Sequence, residues 1–295
     1  MTETPRICDY EGSNYRTEFW EGQGRNYEDI VERHVLRRLL PQSGKRLLEI
    51  GAGFGRLTDE YHAYEHVVLL DYSFSQLQFA RDQLGDERYS YVAADAYKLP
   101  FKAGVFDGAT MIRVIHHFEN VPDVLGGIRR IMADNALFIL EHANKRNMKA
   151  ILRHTLGQQE WNPNTLDPVE FVELNFNFHP RYIVDELQKA QFAMQRRIPV
   201  SFFRVGALKR SIPNDTLATM DSLMQKTGLL VSPSIFTVNH AVGQVGNHVD
   251  LARDDIFASP NTQGALTRDG NLLTDEEGTS WEIRDGIYDF KDPVK

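Results

Sequence analysis

Leu47-Leu48-Glu49-Ile50-Gly51-Ala52-Gly53-Phe54-Gly55 reads as a short buried strand that runs into three closely spaced glycines and then a helix. Gly51 and Gly53 lack a Cβ, so the main chain can bend sharply and a ligand can lie directly against it at the start of that helix. The next apolar run, Val67-Val68-Leu69-Leu70, ends in Asp71, twenty positions beyond Gly51. A carboxylate at that separation is placed to hold ribose hydroxyls. Together the two features predict a nucleotide-binding turn.

The spacing narrows the nucleotide. A dinucleotide fingerprint needs a third glycine after two intervening residues, where helix packs on strand and a pyrophosphate sits. Arg56 occupies that position, and Glu49 precedes the glycines on the strand. A carboxylate aimed at the cleft mouth repels a pyrophosphate but suits a ligand with an ammonium group, such as the methionine part of S-adenosylmethionine. Downstream stand Asp71-Tyr72-Ser73, Ala94-Asp95-Ala96, Leu99-Pro100-Phe101, Phe106-Asp107-Gly108 and Val114-Ile115-His116-His117-Phe118. On these residues the chain resembles the class I S-adenosylmethionine-dependent methyltransferases, and among them the ubiquinone and menaquinone biosynthesis subgroup.

That resemblance covers residues 47–141 and implies S-adenosyl-L-methionine as cofactor. By analogy Asp71 holds the ribose hydroxyls, Tyr72 covers one face of the adenine, Asp95 accepts from its exocyclic amine and the Ala96 amide meets a ring nitrogen. An aromatic face and a carboxylate acceptor are what a neutral purine requires. Glu49, Gly51, Ala52 and Gly53 complete the expected cofactor contacts, with Arg113 near the end of strand four. The stretch Tyr15-Arg16-Thr17-Glu18-Phe19-Trp20-Glu21-Gly22-Gln23-Gly24-Arg25 reads as a flap over the mouth or as an arm packed on the sheet. Arg25 and Tyr27 are its expected contacts to the cofactor carboxylate.

The chain has 295 residues, 42 % of them hydrophobic, enough for one large α/β domain with an appendage. A net charge of −8 argues against broad attraction to nucleic acid. Cys8 is the only cysteine, which excludes an internal disulfide framework and a cysteine-based zinc cluster; no metal is expected. No signal-like segment or run of eighteen apolar residues occurs, so the expected location is cytoplasmic, without a membrane span.

Alternating strands and helices predict a doubly wound, seven-stranded Rossmann-like sheet with a small C-terminal β-rich appendage. Strands are expected at 46–50, 67–71, 89–93, 108–114, 137–141, 194–203 and 234–241. In the resembling family the last of these runs antiparallel between strands five and six. Asn26 is the expected cap of a helix from Tyr27 to Leu40, and Ser73 with Gln76 has capping-box spacing. The expected organisation is an N-terminal arm and helix over 1–45 and a methyltransferase domain over 46–248. Within it an aromatic insertion at 143–180 reads as a substrate lid at the open end of the sheet, or as a loop burying its own side chains.

The tail, 249–295, resembles over 256–290 the zinc-ribbon-like domains that accompany or activate some methyltransferases. Ser259, Thr262, Thr274 and Glu277 stand where cysteines often stand in those domains, a set unsuited to zinc. A metal-free β-domain is therefore expected, held by Leu266, Leu272, Leu273, Trp281, Ile283 and Ile287, with a turn at Arg284-Asp285-Gly286.

The implied chemistry is in-line displacement at a sulfonium methyl, which mainly needs alignment and exclusion of water. His116 or His117 is a candidate base for a phenol or enol acceptor, against the alternative that one packs and the other caps. Arg113 and Glu141 read equally well as a structural ion pair. The expected partner is a small-molecule acceptor; acceptor atom and oligomeric state stay open. The alternatives are a noncatalytic cofactor-binding or partner-binding protein, a methyltransferase acting on RNA or protein, and an NAD(P)-dependent oxidoreductase.

Overall fold

The computed structural model describes residues 6–13, 16, 20 and 23–294. Helix α1 (Asn26–Leu39) leads to β1 (Gly44–Ile50), β2 (Tyr64–Asp71), α2 (Phe74–Leu84), β3 (Tyr89–Ala93) and β4 (Phe106–Met111). Helix α3 (Val121–Ile131), β5 (Met132–Ala143) and α4 (Met148–Thr155) follow, then a hairpin of β6 (Val169–Val172) and β7 (Asn175–Asn177). The last third holds α5 (Pro180–Lys189), β8 (Phe192–Val200), α6 (Gly206–Ser211), α7 (Asn214–Met224), β9 (Ser234–Ala241) and four tail strands, β10 (Thr267–Asp269), β11 (Leu272–Thr274), β12 (Ser280–Arg284) and β13 (Ile287–Val294).

One sheet of eleven strands runs β10-β11-β12-β13-β3-β2-β1-β4-β5-β9-β8. β3, β2, β1, β4 and β5 are parallel, and β9 lies antiparallel between β5 and β8, in the place expected for the last strand. Parallel strands covered on both faces must be apolar on both, and Val67 to Leu70 are each at most 1 % exposed. Leu48, Ile50, Val68 and Leu70 face α3 and α5, whereas Leu47, Val67 and Leu69 face α1, α2 and α7. β1 has β2 on one side and β4 on the other. That reversal of winding opens a crevice at the carboxyl ends of β1 and β4.

Local signals set most boundaries. The Ser73 hydroxyl accepts the Gln76 N–H at 3.4 Å to start α2, and Asn147 does the same for Ala150 at 3.0 Å in α4. Asn26 is not a cap: it is the first helical residue, and the N-cap position is held by Arg25, whose side chain makes no capping bond. β4 stops at Met111, short of the expected Val114, because Arg113 takes a left-handed φ of +61°. Here it takes the Arg113 N–H out of the β4–β5 ladder, which ends at Met111 opposite Leu140. The Arg113 N–H turns instead to Glu141 Oε2 at 2.9 Å.

The tail strands extend the main sheet. β13 pairs in parallel with β3, Ile287 opposite Tyr91, so the appendage shares the backbone ladder of the cofactor half. Trp281, Leu273, Ile283 and Ile287 are buried as expected, while Leu272 is 40 % exposed. Phe257 stacks on Tyr288 at 4.2 Å and on Phe101 at 5.7 Å, which ties the tail to the segment after β3. Asp285 and Gly286, at φ +48° and +70°, form the expected turn between β12 and β13. The Ser259 hydroxyl, fully buried, donates to Asp275 Oδ2 at 2.9 Å and accepts from the Asn261 and Thr262 amides at 3.2 Å. Asp275 Oδ1 accepts from Glu277 and Thr279. Two turns of the tail are thus joined by hydrogen bonds.

Trp281, 1 % exposed, packs in the same core cluster as the β1 and β4 residues. Trp281→Ala is expected to destabilise the whole chain by about 3–5 kcal/mol. In urea, circular dichroism and cofactor-site fluorescence should then move together; an unshifted main transition would mean that the tail folds by itself.

Candidate functional site

The crook after β1 is built by backbone that only glycine adopts easily. Gly51 lies at φ +69°, and a Cβ on it would fall 2.3 Å from Val114 Cγ2; Gly53 lies at φ +54°. The Gly51 and Ala52 amides bond to the Leu70 carbonyl at 2.7 and 3.0 Å, which hangs the crook on the end of β2. The Gly53 amide donates to Asp71 Oδ2 at 2.7 Å, and Ser73 N–H to Asp71 Oδ1 at 2.9 Å.

An open cleft lies against this crook. Glu49, Gly51, Ala52, Gly53, Asp71, Tyr72, Asp95, Ala96 and Arg113 all line it, so nine of the expected cofactor contacts converge. Burial pushes the Asp71 and Asp95 carboxyls up, against backbone N–H groups that favour the ions. Asp95 Oδ1 accepts from the Tyr97 amide at 2.9 Å. Each oxygen of Asp71 keeps a lone pair beyond its backbone bond.

Glu49, 6 % exposed, accepts from the Thr58 hydroxyl at 2.6 Å and the Tyr61 hydroxyl at 3.2 Å. Burial nevertheless pushes its carboxyl up to about 7. A cation placed beside it recovers that desolvation cost, so the position is primed for an ammonium group.

Arg56, in the third-glycine position, is part of the architecture. It bonds to Asp29 and, at 2.6 Å, to Glu32, and stacks 3.6 Å over the Trp20 ring. Glu32 also holds Arg113 at 2.6 Å. Burial alone would push the Glu32 carboxyl up, but the two guanidiniums hold it below the usual range. Arg113 therefore pairs with Glu32; its hydrogen bond to Glu141 comes from the main-chain N–H, while its guanidinium acts on that carboxyl by charge alone.

Two expected contacts lie elsewhere. Tyr27 is fully buried in the seam between α1 and α7, where its hydroxyl donates to Asp221 at 2.5 Å and accepts from the Phe203 amide at 3.0 Å. Arg25 is outside the cleft lining, 5.5 Å from the Trp20 ring. The two histidines also separate. His117 lines the cleft, its Nδ1 2.9 Å from the Leu174 carbonyl, whereas His116 does not line it and lies tilted against His117, ring centres 4.1 Å apart. Burial lowers both histidines from the ordinary range.

The described roof of the cleft is Arg6, Ile7, Cys8, Tyr10 and Trp20. Of the expected flap, Tyr15, Thr17 to Phe19, Glu21 and Gly22 lie outside the described residues. Residues 143–180 contribute no lining residue, though the hairpin touches the site from behind: Leu174 meets His117, and Glu170 holds Arg6 at 3.2 Å. Thr58, Tyr61, Leu174 and the roof residues Arg6, Ile7, Cys8 and Tyr10 escaped the sequence reading, whereas Trp20 belongs to the stretch expected as a flap. No periodicity marks them, and each acts through a partner distant in sequence.

Comparison with known proteins agrees with this geometry. The family model described as a methyltransferase domain matches residues 48–140. The demethylmenaquinone methyltransferase of Clavibacter sepedonicus is 39 % identical over 77 residues, 25 % of this chain and 31 % of that protein. A ubiquinone/menaquinone biosynthesis C-methyltransferase of Stutzerimonas stutzeri is 31 % identical over 113 residues, 35 % and 44 % of the two chains. The malonyl-[acyl-carrier protein] O-methyltransferase of Geobacter sulfurreducens is 31 % identical over 119 residues, 37 % and 44 %. The chain thus spans less than half the length of these relatives.

Among solved structures, a chain of the complex between the Haloferax volcanii Trm112 methyltransferase activator and its methyltransferase superposes with a TM-score of 0.55 at 16 % identity, covering 78 % of this chain and 98 % of that one. An S-adenosylmethionine-dependent methyltransferase of Mesorhizobium loti gives 0.51 at 17 %, covering 73 % and 100 %. At such identities the likeness is one of fold. Glycine crook, sheet order and matched segment agree: residues 48–140 match a methyltransferase domain, set in the Rossmann-like fold of S-adenosylmethionine-dependent methyltransferases.

Proposed function

We propose that the chain transfers the methyl group of S-adenosylmethionine to a small aromatic or amphipathic acceptor in the cytoplasm. The observation that carries this reading is the buried Glu49 carboxyl in the same cleft as Asp71 and Asp95, with the glycine crook between them. Three carboxyls exclude a pyrophosphate and suit a ligand with an ammonium, a ribose and a neutral purine. The names of the curated relatives, two of which act in quinone biosynthesis, support a small acceptor.

When bound, S-adenosylmethionine supplies an electrophilic methyl on a sulfonium that leaves as a neutral thioether. Glu49 would hold the ammonium, Asp71 the ribose hydroxyls, and Asp95 with the Ala96 amide the adenine edge. Trp20, Tyr10 and Phe118 keep water from the cleft and present aromatic faces to a cation. His117 takes the acceptor proton. The Leu174 carbonyl can only accept, so a neutral His117 carries its hydrogen on Nδ1, which leaves Nε2 as the free base. Burial keeps that ring neutral near pH 7.

Four outcomes test the reading. S-adenosylmethionine and S-adenosylhomocysteine should raise the melting temperature while NAD(H) leaves it unchanged, and Asp71→Ala should weaken adenosyl-ligand affinity by about tenfold or more. Stabilisation by NAD(H) alone defeats the assignment. Glu49 stays protonated up to about pH 7 in the free protein, and an ammonium partner favours its ion. Affinity should therefore rise by up to about tenfold per unit as pH climbs towards about 7 and level off above it; calorimetric titration should find that slope flattened in Glu49→Gln. On a panel of phenols and enols, His117→Asn should lower turnover by about a hundredfold or more with cofactor affinity kept. Unchanged turnover would leave His117 a packing residue.

A further inference from the structure

α4 stands on the surface with its apolar stripe turned outward. Met148, Leu152 and Leu156, spaced by four, share one side of the helix and its C-cap. They are 62, 57 and 59 % exposed, and it is Ala150 that is buried. A helix packed on a core shows the reverse arrangement. Lys149 and Arg153 lie beside the stripe around the helix axis, and α4 contains no acid. Both cations line a groove of about 890 Å³ whose far wall includes Trp161 and Phe171, with Glu160 its single carboxylate. Phe171 and its neighbour Val172 are themselves 54 and 59 % exposed.

We propose that this face docks on an anionic membrane surface. The stripe, with Phe171 and Val172, would enter the acyl boundary, and lipid phosphates would sit in the groove between Lys149 and Arg153. An apolar stripe flanked by Lys and Arg, with a Trp at the polar margin, is the pattern of an interfacial helix. Charge fixes the orientation. A chain of net charge −8 is repelled by an anionic bilayer over most of its surface, so a local pair of cations selects the docking face. A two-fold contact between copies would bring the cations of α4 near one another, which disfavours a dimer through this face. α4 follows β5, whose carboxyl end lies on the same side of the sheet as those of β1 and β4, where the cleft opens. Docking would therefore bring the bilayer to the side of the molecule from which an amphipathic acceptor enters.

The test needs neither cofactor nor acceptor, so its result is separate from that of methyl transfer. The full chain is sedimented with vesicles of phosphatidylcholine alone and of phosphatidylcholine with phosphatidylglycerol. Partition to the anionic vesicles should exceed that to the neutral ones by about tenfold or more and fall as salt is raised. The double variant Leu152→Asp/Leu156→Asp should abolish binding. Lys149→Glu/Arg153→Glu should lower it by about tenfold or more, with circular dichroism unchanged in both. Wild-type partition equal on the two vesicles or absent from both, or variants that bind as the wild type does, overturns the proposal. Loss of a concentration-dependent dimer in Leu152→Asp/Leu156→Asp, without vesicle binding by the wild type, assigns the stripe to a second copy and overturns it too.

Discussion

The cleft depends on one carboxylate. Asp71 ends β2 and spends one oxygen on the Gly53 amide and the other on the Ser73 amide, so it fixes both the crook after β1 and the start of α2. The Ser73 bond is local to the end of β2, whereas the Gly53 bond reaches across from the glycine turn, where Gly51 and Gly53 are both left-handed. Burial of the ion is costly, and the two N–H groups offset part of that cost. The residue in position to hold a ribose is therefore the residue that holds the turn together. Geometry at one of these tasks is set by the other.

A second constraint anchors α1. Glu32, 1 % exposed, sits between Arg56 and Arg113, and Asp29 balances the extra cation. Trp20 lies over both guanidiniums, 3.6 Å from Arg56 and 5.3 Å from Arg113. Such buried pairs add little net stability but are costly to break, because removing one partner strands a charge away from water. Their effect here is positional. They pin the residues on either side of the crook to α1, and they explain why an arginine is acceptable where a dinucleotide fold needs glycine: no pyrophosphate has to approach that point.

The sheet from β1 to β3, β9, the caps of α2 and the two ends of the cleft were legible because their signals are local. Apolar runs, a Ser with its Gln three residues on, and glycines at fixed spacing each act within a few residues. The features that escaped are nonlocal. Tyr27 looks like a cleft residue at a helix start, but its partners Phe203 and Asp221 come from the far end of the chain. The early stop of β4 rests on one left-handed arginine, a conformation that composition does not announce. The tail's β character and its Asp285-Gly286 turn were readable, whereas its individual strands were not, and the pairing of β13 with β3 joins segments nearly two hundred residues apart, for which no short pattern exists.

The two additions to the core fold sit at opposite ends of the same cleft. β13 follows β3 toward Asp95, and Lys291 on it lies 5.1 Å from the Tyr72 ring, so the tail flanks the residues read as adenosyl contacts. The hairpin of the insertion reaches the other end, where Leu174, itself at a left-handed φ of +51°, directs its carbonyl to His117 while Glu170 takes the Leu174 amide at 2.8 Å. Glu170 also holds Arg6 of the roof. One tight turn thus fixes a histidine tautomer and the arm above the cleft through three hydrogen-bonded residues. A disturbance of the tail should be felt first at Tyr72, and a disturbance of the hairpin first at His117, because these are the cleft residues each addition contacts.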